Sequence, residues 1–167
     1  MEGPFDKVAS VGMFEHVGRR RLKEYFDKLN QLLRPGGLLL NHGIMRPEGA
    51  ESNAESLFIR RKVFPGGEIP CLSEVIRSAE GAGFEVLDVE NLRPHYAQTC
   101  RAWVERLQKN ATQCLRHVNS SVYRTWLLAF AASAAYFEDG LLNLNQLLLY
   151  KPGNPAKRPF TREYIYR

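Results

Sequence analysis

The sequence has few of the features that mark secreted, zinc-binding or membrane-spanning proteins. Its three cysteines, Cys71, Cys100 and Cys114, are odd in number and include no CxxC pair, so neither a disulfide framework nor a zinc site is indicated. The most apolar run, from Trp126 to Phe137, is too short to span a bilayer, and no secretory leader pattern is present at the start. We therefore expect a cytoplasmic protein without a metal site.

The charge balance is modest rather than extreme. The chain has 23 Lys and Arg against 18 Asp and Glu, a net charge of +5, over 167 residues that are 44% hydrophobic. The basic residues are scattered, and no zinc-finger, RNP or recognition-helix pattern is present, so nucleic acid is not an expected partner. A small positive excess is compatible with anionic phospholipid but does not identify it.

Short apolar runs predict strands at three places. These runs are Phe5–Val11, Leu38–Ile44 and Phe84–Val89, and a fourth strand is expected in the segment "LLNLNQLLLY". The stretches between the first three runs have helical periodicity. This alternation indicates an α/β protein with a doubly wound sheet.

Helices are predicted from spacing and from stop signals. Apolar residues from Leu22 to Leu33 recur at three and four positions, and the helix should end at "RPGG". Ser73 is the expected cap of a second helix, which ends near Gly81 to Gly83. A long helical region should run from Tyr96 to Phe137, with a break near Asn119 to Ser121.

Several reactive side chains follow the predicted strands. Glu15 comes after the first strand, His42 lies near the end of the second, and a further segment follows Leu92. In open α/β sheets, ligands bind outside the carboxyl ends of the strands. We therefore expect Glu15, His42 and the start of the long helical region to share one functional edge.

Four motifs in order resemble the cyclopropane fatty acid synthase family, which includes the mycolic acid cyclopropane synthases. They are "VGMFEHVG", "LLRPGGLLLNHGI", "FPGGEIPCLSEV" and "HYAQTCRAWVERL". The family consists of S-adenosylmethionine-dependent methyltransferases with a Rossmann-like class I fold, which act on cis double bonds of lipid acyl chains. The resemblance implies that residues 1–150 are part of such a domain. Residues 151–167 form a basic, proline-containing tail.

One departure from the family pattern concerns the cofactor loop. Family members carry a glycine-rich loop and a ribose-binding acidic residue ahead of the matched region, and no such loop precedes Phe5 here. The chain therefore resembles the C-terminal half of the doubly wound sheet, with an added helical region. A half sheet would expose one edge, which favours pairing with another chain, for example in a homodimer.

The resemblance also implies roles for seven residues. Glu15, His42 and Tyr96 would be catalytic because they hold a bicarbonate that acts as the base, with Ile44 as a further bicarbonate contact. S-adenosylmethionine would contact Val11, Gly12 and His16. Without the resemblance, Glu15, His42 and Tyr96 could equally be structural, as a helix-start carboxylate, a core histidine and a packed aromatic ring.

The implied activity is transfer of a methylene from S-adenosylmethionine to a cis double bond of a lipid acyl chain. The substrate would be a phospholipid or another lipid at a membrane surface, which would place the protein in the cytoplasm, peripheral to the inner membrane face. Two alternatives remain open at this point. One is a small-molecule N-methyltransferase, since such enzymes share a similar "MFEH" strand end, and the other is a truncated, non-catalytic lipid-binding or interaction module.

Overall fold

A single mixed sheet organises the chain in the computed structural model, which describes residues 3–50, 58–59, 61–153 and 161–165. Its strands are β1 (Phe5–Val11), β2 (Leu33–Met45), β3 (Glu85–Asn91) and β4 (Asn143–Tyr150), in the order β1-β2-β4-β3. β1 is parallel to β2, whereas β4 runs antiparallel to both β2 and β3. The carboxyl ends of β1, β2 and β3 therefore meet at one edge, beside the start of β4.

Helices connect the strands, and some of them pack beside the carboxyl edge of the sheet. They are α1 (Phe14–Val17), α2 (Leu22–Leu32), α3 (Leu72–Gly81), α4 (Arg93–Lys109), α5 (Ala111–Cys114) and α6 (Ser120–Glu138), with short 3-10 helices at Arg19–Arg21 and Arg162–Ile165. No described helix is long and apolar enough to cross a membrane.

The main core lies between one face of the sheet and the layer formed by α1, α2 and α3. Phe14, Phe26, Leu39, Val75 and Leu147 are fully buried there. Phe26 comes from the apolar stripe of α2, and Leu39 and Leu147 come from alternate positions of β2 and β4. The helical period of 3.6 and the strand period of 2 thus bring their apolar sides to the same interface.

A second core joins α4 and α6 to the carboxyl edge of the sheet. Its buried members are Ala97, Cys100, Ala134, Phe137 and Leu144. Early residues of α4 and late residues of α6 therefore meet beside the start of β4. This packing fixes the first turn of α4 next to the ends of β2 and β3.

Most of the predicted elements are confirmed, with two differences. The break before α6 is present, and the Asn119 side chain accepts a hydrogen bond from the Val122 amide at 3.0 Å. Ser73 is not a cap, so that prediction is wrong: the N-cap is Cys71, two residues earlier, and the Cys71 amide donates to Glu74 Oε2 at 2.7 Å. The Ser73 hydroxyl instead donates to Glu48 Oε2 at 2.6 Å.

The second difference concerns "RPGG", which lies inside β2 rather than before it. β2 begins at Leu33, which pairs with Phe5, but the next pair is Lys7 with Leu38. The register shift makes the segment between these pairs a bulge. α2 therefore passes directly into β2, and the turn residues are accommodated as extra length on one strand.

A buried polar cluster ties α2 to the sheet. The Tyr25 hydroxyl lies 2.5 Å from Ser10 Oγ and 2.7 Å from Asn41 Oδ1, and all three residues are buried. Burial raises the pKa of Tyr25 to about 12; the Ser10 hydrogen bond opposes this shift, and the charge of Glu15 adds to it. The phenol is therefore neutral in the folded protein at physiological pH.

We expect Tyr25→Phe to destabilise the protein at neutral pH by about 1–3 kcal/mol, because Ser10 and Asn41 lose a buried partner. The folded-state pKa of about 12 lies above the unfolded value of about 10. The folded state therefore holds the Tyr25 proton more tightly, and its free energy of unfolding falls between pH 10 and pH 12. Phenylalanine has no such proton, so the difference between the two proteins should shrink by about 2 kcal/mol across that window.

Urea unfolding at pH 8 and at several values above pH 10 measures this difference. Tyr123→Phe is the matched control, since its hydroxyl contacts the Leu107 carbonyl at 3.2 Å outside the buried cluster. A difference between wild type and Tyr25→Phe that stays constant with pH would contradict the assigned pKa.

Candidate functional site

Glu15 is held at the carboxyl edge by a hydrogen bond from β2. After β1 the chain turns at Gly12, whose φ of 62° suits a residue without a side chain, and α1 begins two residues later. Glu15 Oε1 then accepts a hydrogen bond from the Ile44 amide at 2.8 Å. The Glu15 carbonyl also accepts from the Glu68 amide at 2.9 Å, so both ends of the residue are anchored.

Gly43 makes this arrangement possible. A Cβ added to Gly43 would lie 2.3 Å from Phe14 Cε1 and 2.8 Å from Glu15 Oε1. Only a residue without a side chain leaves room for both groups. Sequence reasoning missed Gly43, although a single glycine inside an apolar strand is the usual sign of such a close approach.

The second carboxylate oxygen of Glu15 has no partner. Glu15 Oε2 is buried and accepts no hydrogen bond from any described residue. Buried polar atoms in proteins are nearly always hydrogen-bonded, so an acceptor left open at a strand edge indicates a ligand that donates a proton or hydrogen bond. This oxygen is the strongest mark of a binding site in the described chain.

Tyr96 lies in the first turn of α4 and within the electrostatic influence of Glu15. Burial raises the pKa of Tyr96, and Cys100 and Glu15 raise it further. The ring packs edge-on against Phe137 and Trp103, at centroid distances of 5.1 and 5.8 Å. The phenol is thus a neutral hydrogen-bond donor whose pKa responds to the charge of Glu15, and its ring packs in the same apolar cluster as Ile44.

His42 is connected to the site through its backbone. Its carbonyl accepts a hydrogen bond from the Gly12 amide at 2.9 Å, which closes the turn after β1. Its half-buried side chain lies on the same face of β2 as Ile44, because strand side chains alternate. The described residues give the ring no hydrogen-bond partner, so the structure brings together Glu15, Ile44 and Tyr96 but shows no hydrogen bond that links the His42 ring to them.

The three expected cofactor residues form an exposed ledge after β1. Val11 is 66% exposed, and a Cβ on Gly12 would meet nothing within 4 Å. His16 is also exposed, and its ring contacts Phe64 at a centroid distance of 5.9 Å. An accessible backbone at Gly12 fits the close approach of a flat or extended ligand.

Aromatic rings form a wall from His16 to Tyr96. The wall consists of Phe64, Trp126, Phe130, Trp103 and Tyr96, with successive centroid distances of 6.2, 5.3, 5.0 and 5.8 Å. From the sequence, Trp103, Trp126 and Phe130 were assigned only to a helical region. The four-residue spacing of Trp126 and Phe130 could have placed them on one helix face. An apolar wall beside a carboxylate and a phenol suits an aliphatic substrate that reacts at the strand edge.

Gly43→Ala should lower stability by about 1–3 kcal/mol, because the added methyl group overpacks the contact between Phe14 and Glu15. Gly81→Ala is the control: it lies at the end of α3, where a Cβ meets nothing within 4 Å, and it should be neutral or stabilising. Denaturant unfolding of both variants tests the contact. Equal stability of the two variants would show that Gly43 is not needed for close packing.

Comparisons with known proteins match the chain to one family. The family model described as mycolic acid cyclopropane synthetase matches residues 1–147. A probable fatty acid methyltransferase of Pseudomonas putida is 45% identical over 174 residues, which cover 99% of this chain and 43% of the relative. The chain therefore spans less than half the length of that protein.

Two solved structures have the same architecture. The cyclopropane synthase MmaA2 from Mycobacterium tuberculosis superposes with a TM-score of 0.85 at 29% identity, over 90% of this chain and 57% of that one. The mycolic acid cyclopropane synthase CmaA1, solved with SAH and CTAB, superposes with a TM-score of 0.83 at 30% identity and the same coverage. The Rossmann-like class I methyltransferase fold predicted from the sequence is confirmed.

Proposed function

We propose that this chain carries the part of a lipid-modifying enzyme that holds the catalytic base. The chain belongs to the mycolic acid cyclopropane synthetase family of S-adenosylmethionine-dependent methyltransferases. The reaction would transfer a methylene from S-adenosylmethionine to a cis double bond of a lipid acyl chain. The observation that carries this proposal is Glu15 Oε2, which is buried and has no hydrogen-bond partner among the described residues. The charge of the same carboxylate raises the pKa of the neutral Tyr96 phenol. The aromatic wall next to them supplies an apolar surface for an acyl chain.

The ledge after β1 is the proposed cofactor contact. S-adenosylmethionine, when bound, supplies an electrophilic methyl group. Val11 and Gly12 would lie against it, since both are exposed and Gly12 leaves open space above its backbone. His16 would close one side through its contact with Phe64. The complex of CmaA1 with SAH supports a cofactor of this class in the shared fold.

The second proposed ligand is bicarbonate, a weak base. Its hydroxyl group is a donor that fits the open Glu15 Oε2, and its negative oxygens need donors such as the Tyr96 hydroxyl. The His42 ring, which lies on the same face of β2 as the Ile44 side chain, would supply a further hydrogen-bond donor. The Ile44 amide donates to Glu15 Oε1 and so orients the carboxylate toward the proposed ligand.

The site also suits the charge that the reaction creates. Methyl addition to an alkene leaves a carbocation, and ring closure requires removal of a proton from the added methyl group. The Glu15 carboxylate stabilises positive charge at the edge, and the faces of the Tyr96 and Trp103 rings can do the same. Retention of Glu15 favours closure of a cyclopropane ring over simple methyl branching.

Two other functions would use the same fold. A small-molecule N-methyltransferase would need a closed pocket, whereas the aromatic wall of this chain is partly exposed, with Trp126 at 36% and Phe64 at 45%. A non-catalytic lipid-binding module would need no open acceptor at the strand edge. The lipid C-methyltransferase is therefore the function that the site supports best.

The test replaces the matching segment of the Pseudomonas putida relative with this chain and supplies unsaturated phospholipid and S-adenosylmethionine. The expected product carries one extra methylene, seen by mass spectrometry, and a cyclopropane ring, seen by NMR. Glu15→Gln should reduce turnover by at least about 100-fold, since positioned acid–base groups contribute on this scale. Glu24→Gln, on the exposed face of α2, should leave turnover unchanged.

The outcomes separate the alternatives. A methyl-branched product would show that the site does not close the ring. Loss of turnover in Glu24→Gln equal to that in Glu15→Gln would show that charge rather than the specific carboxylate matters. A chimera that methylates a small amine but no lipid would overturn the proposal.

A further inference from the structure

The far end of the helical hairpin has an uneven charge distribution. The helical tip is defined here as residues 106–124, the end of α4, all of α5 and the start of α6. It contains Arg106, Lys109, Arg116 and Arg124, and no Asp or Glu occurs from Arg106 to Phe137. These four positive charges nearly equal the net charge of +5 of the whole chain.

The basic side chains of the tip have no ion-pair partner in the part of the chain that the structure describes. All four are exposed, and none forms an ion pair with a carboxylate of the described residues. Some arginines outside the tip are paired: Arg101, five residues before the tip, pairs with Glu138, and Arg19 pairs with Glu74. The tip is thus a surface of uncompensated positive charge.

Large apolar side chains are exposed on the same tip. Leu115 is 45% exposed, and Val118 and Val122 are each 39% exposed. Single exposed apolar residues are common, but three within eight positions among unpaired basic residues form a mixed surface. This combination of basic and apolar groups is characteristic of segments that lie at a membrane interface.

An apolar groove lies between the tip and the aromatic wall. A cavity of about 280 Å³ is lined by Trp103, Leu107 and Phe130 and bordered by Arg106, Asn110 and Cys114. Trp103 contacts the Tyr96 ring directly. The groove therefore leads from the basic end of α4 toward the aromatic wall.

We propose that the helical tip docks on a bilayer that contains anionic phospholipid, with its arginines and lysine on the head groups and Leu115, Val118 and Val122 in the interface. An acidic protein could match the charge, but the exposed aliphatic side chains favour a lipid surface, where they lose contact with water. The proposal extends the proposed lipid substrate by naming the surface that meets the membrane.

The test measures binding of the chain to vesicles by co-sedimentation, with saturated phosphatidylcholine alone or mixed with saturated phosphatidylglycerol. Binding should require phosphatidylglycerol and weaken with added salt. Arg116→Gln combined with Arg124→Gln should reduce partitioning by about 30-fold, since each basic residue contributes about five-fold at an anionic surface. Leu115→Ser combined with Val118→Ser should also weaken binding, and the remaining binding should become more sensitive to salt.

Arg20→Gln combined with Arg21→Gln is the matched control, because it removes the same charge from two exposed arginines before α2. It should retain most of the binding. An equal loss in both double arginine variants would show that only net charge matters and would overturn the proposal. Circular dichroism confirms that each variant is folded, which is expected because all substituted side chains are exposed.

A position-sensitive readout completes the test. Two variants are made in a background of Trp103→Phe and Trp126→Phe, so that each has a single tryptophan. Brominated lipid should quench the tryptophan fluorescence of Val118→Trp but not that of Arg20→Trp. Binding to soluble polyglutamate without binding to vesicles would overturn the proposal and indicate that the partner is an acidic protein. Saturated lipids offer no double bond, so a failure to dock is distinguishable from a failure to transfer a methylene.

Discussion

The hydrogen bond from the Ile44 amide to Glu15 Oε1 is the contact on which the candidate site depends. It joins the helix after β1 to the end of β2 across 29 positions of the chain, and it occupies one oxygen of the carboxylate. Hydrogen bonds to charged groups contribute about 1.5–3 kcal/mol, enough to hold the side chain in one orientation. The other oxygen is consequently fixed, buried and free to accept a ligand.

Gly43 and Phe14 explain why this contact forms. Phe14 fills the core beneath the strand edge, and the absence of a side chain at Gly43 lets the Phe14 ring and the Glu15 carboxylate lie against the β2 backbone. Burial of Phe14 thus fixes α1 against the sheet, and this places the adjacent Glu15 at the carboxyl edge. Core packing and site geometry are set by neighbouring positions of one short helix.

Local patterns in the sequence predicted the elements better than their contacts. The strand and helix spacings identified β1, β2, β3 and α2, because hydrophobic periodicity is a local property of the chain. The cap of α3 was misassigned because serine is a common N-cap residue, whereas here the Glu74 carboxylate accepts from the amide of Cys71, which is the N-cap. The pairing of Glu15 with Ile44 depends on tertiary packing, and the resemblance to a known family supplied their roles where spacing alone could not.

The two groups of helices pack against different parts of the sheet. The layer of α1, α2 and α3 covers the sheet with aliphatic and aromatic residues, whereas α4 and α6 contact the sheet only near its carboxyl edge. Tyr96 and Lys109 lie near opposite ends of α4, about 20 Å apart at 1.5 Å per residue. This separation exceeds the Debye length of about 8 Å at physiological salt, so the exposed basic tip is largely screened from the carboxylate site. The positive charge of the tip therefore has little effect on the electrostatics of the carboxyl edge of the sheet.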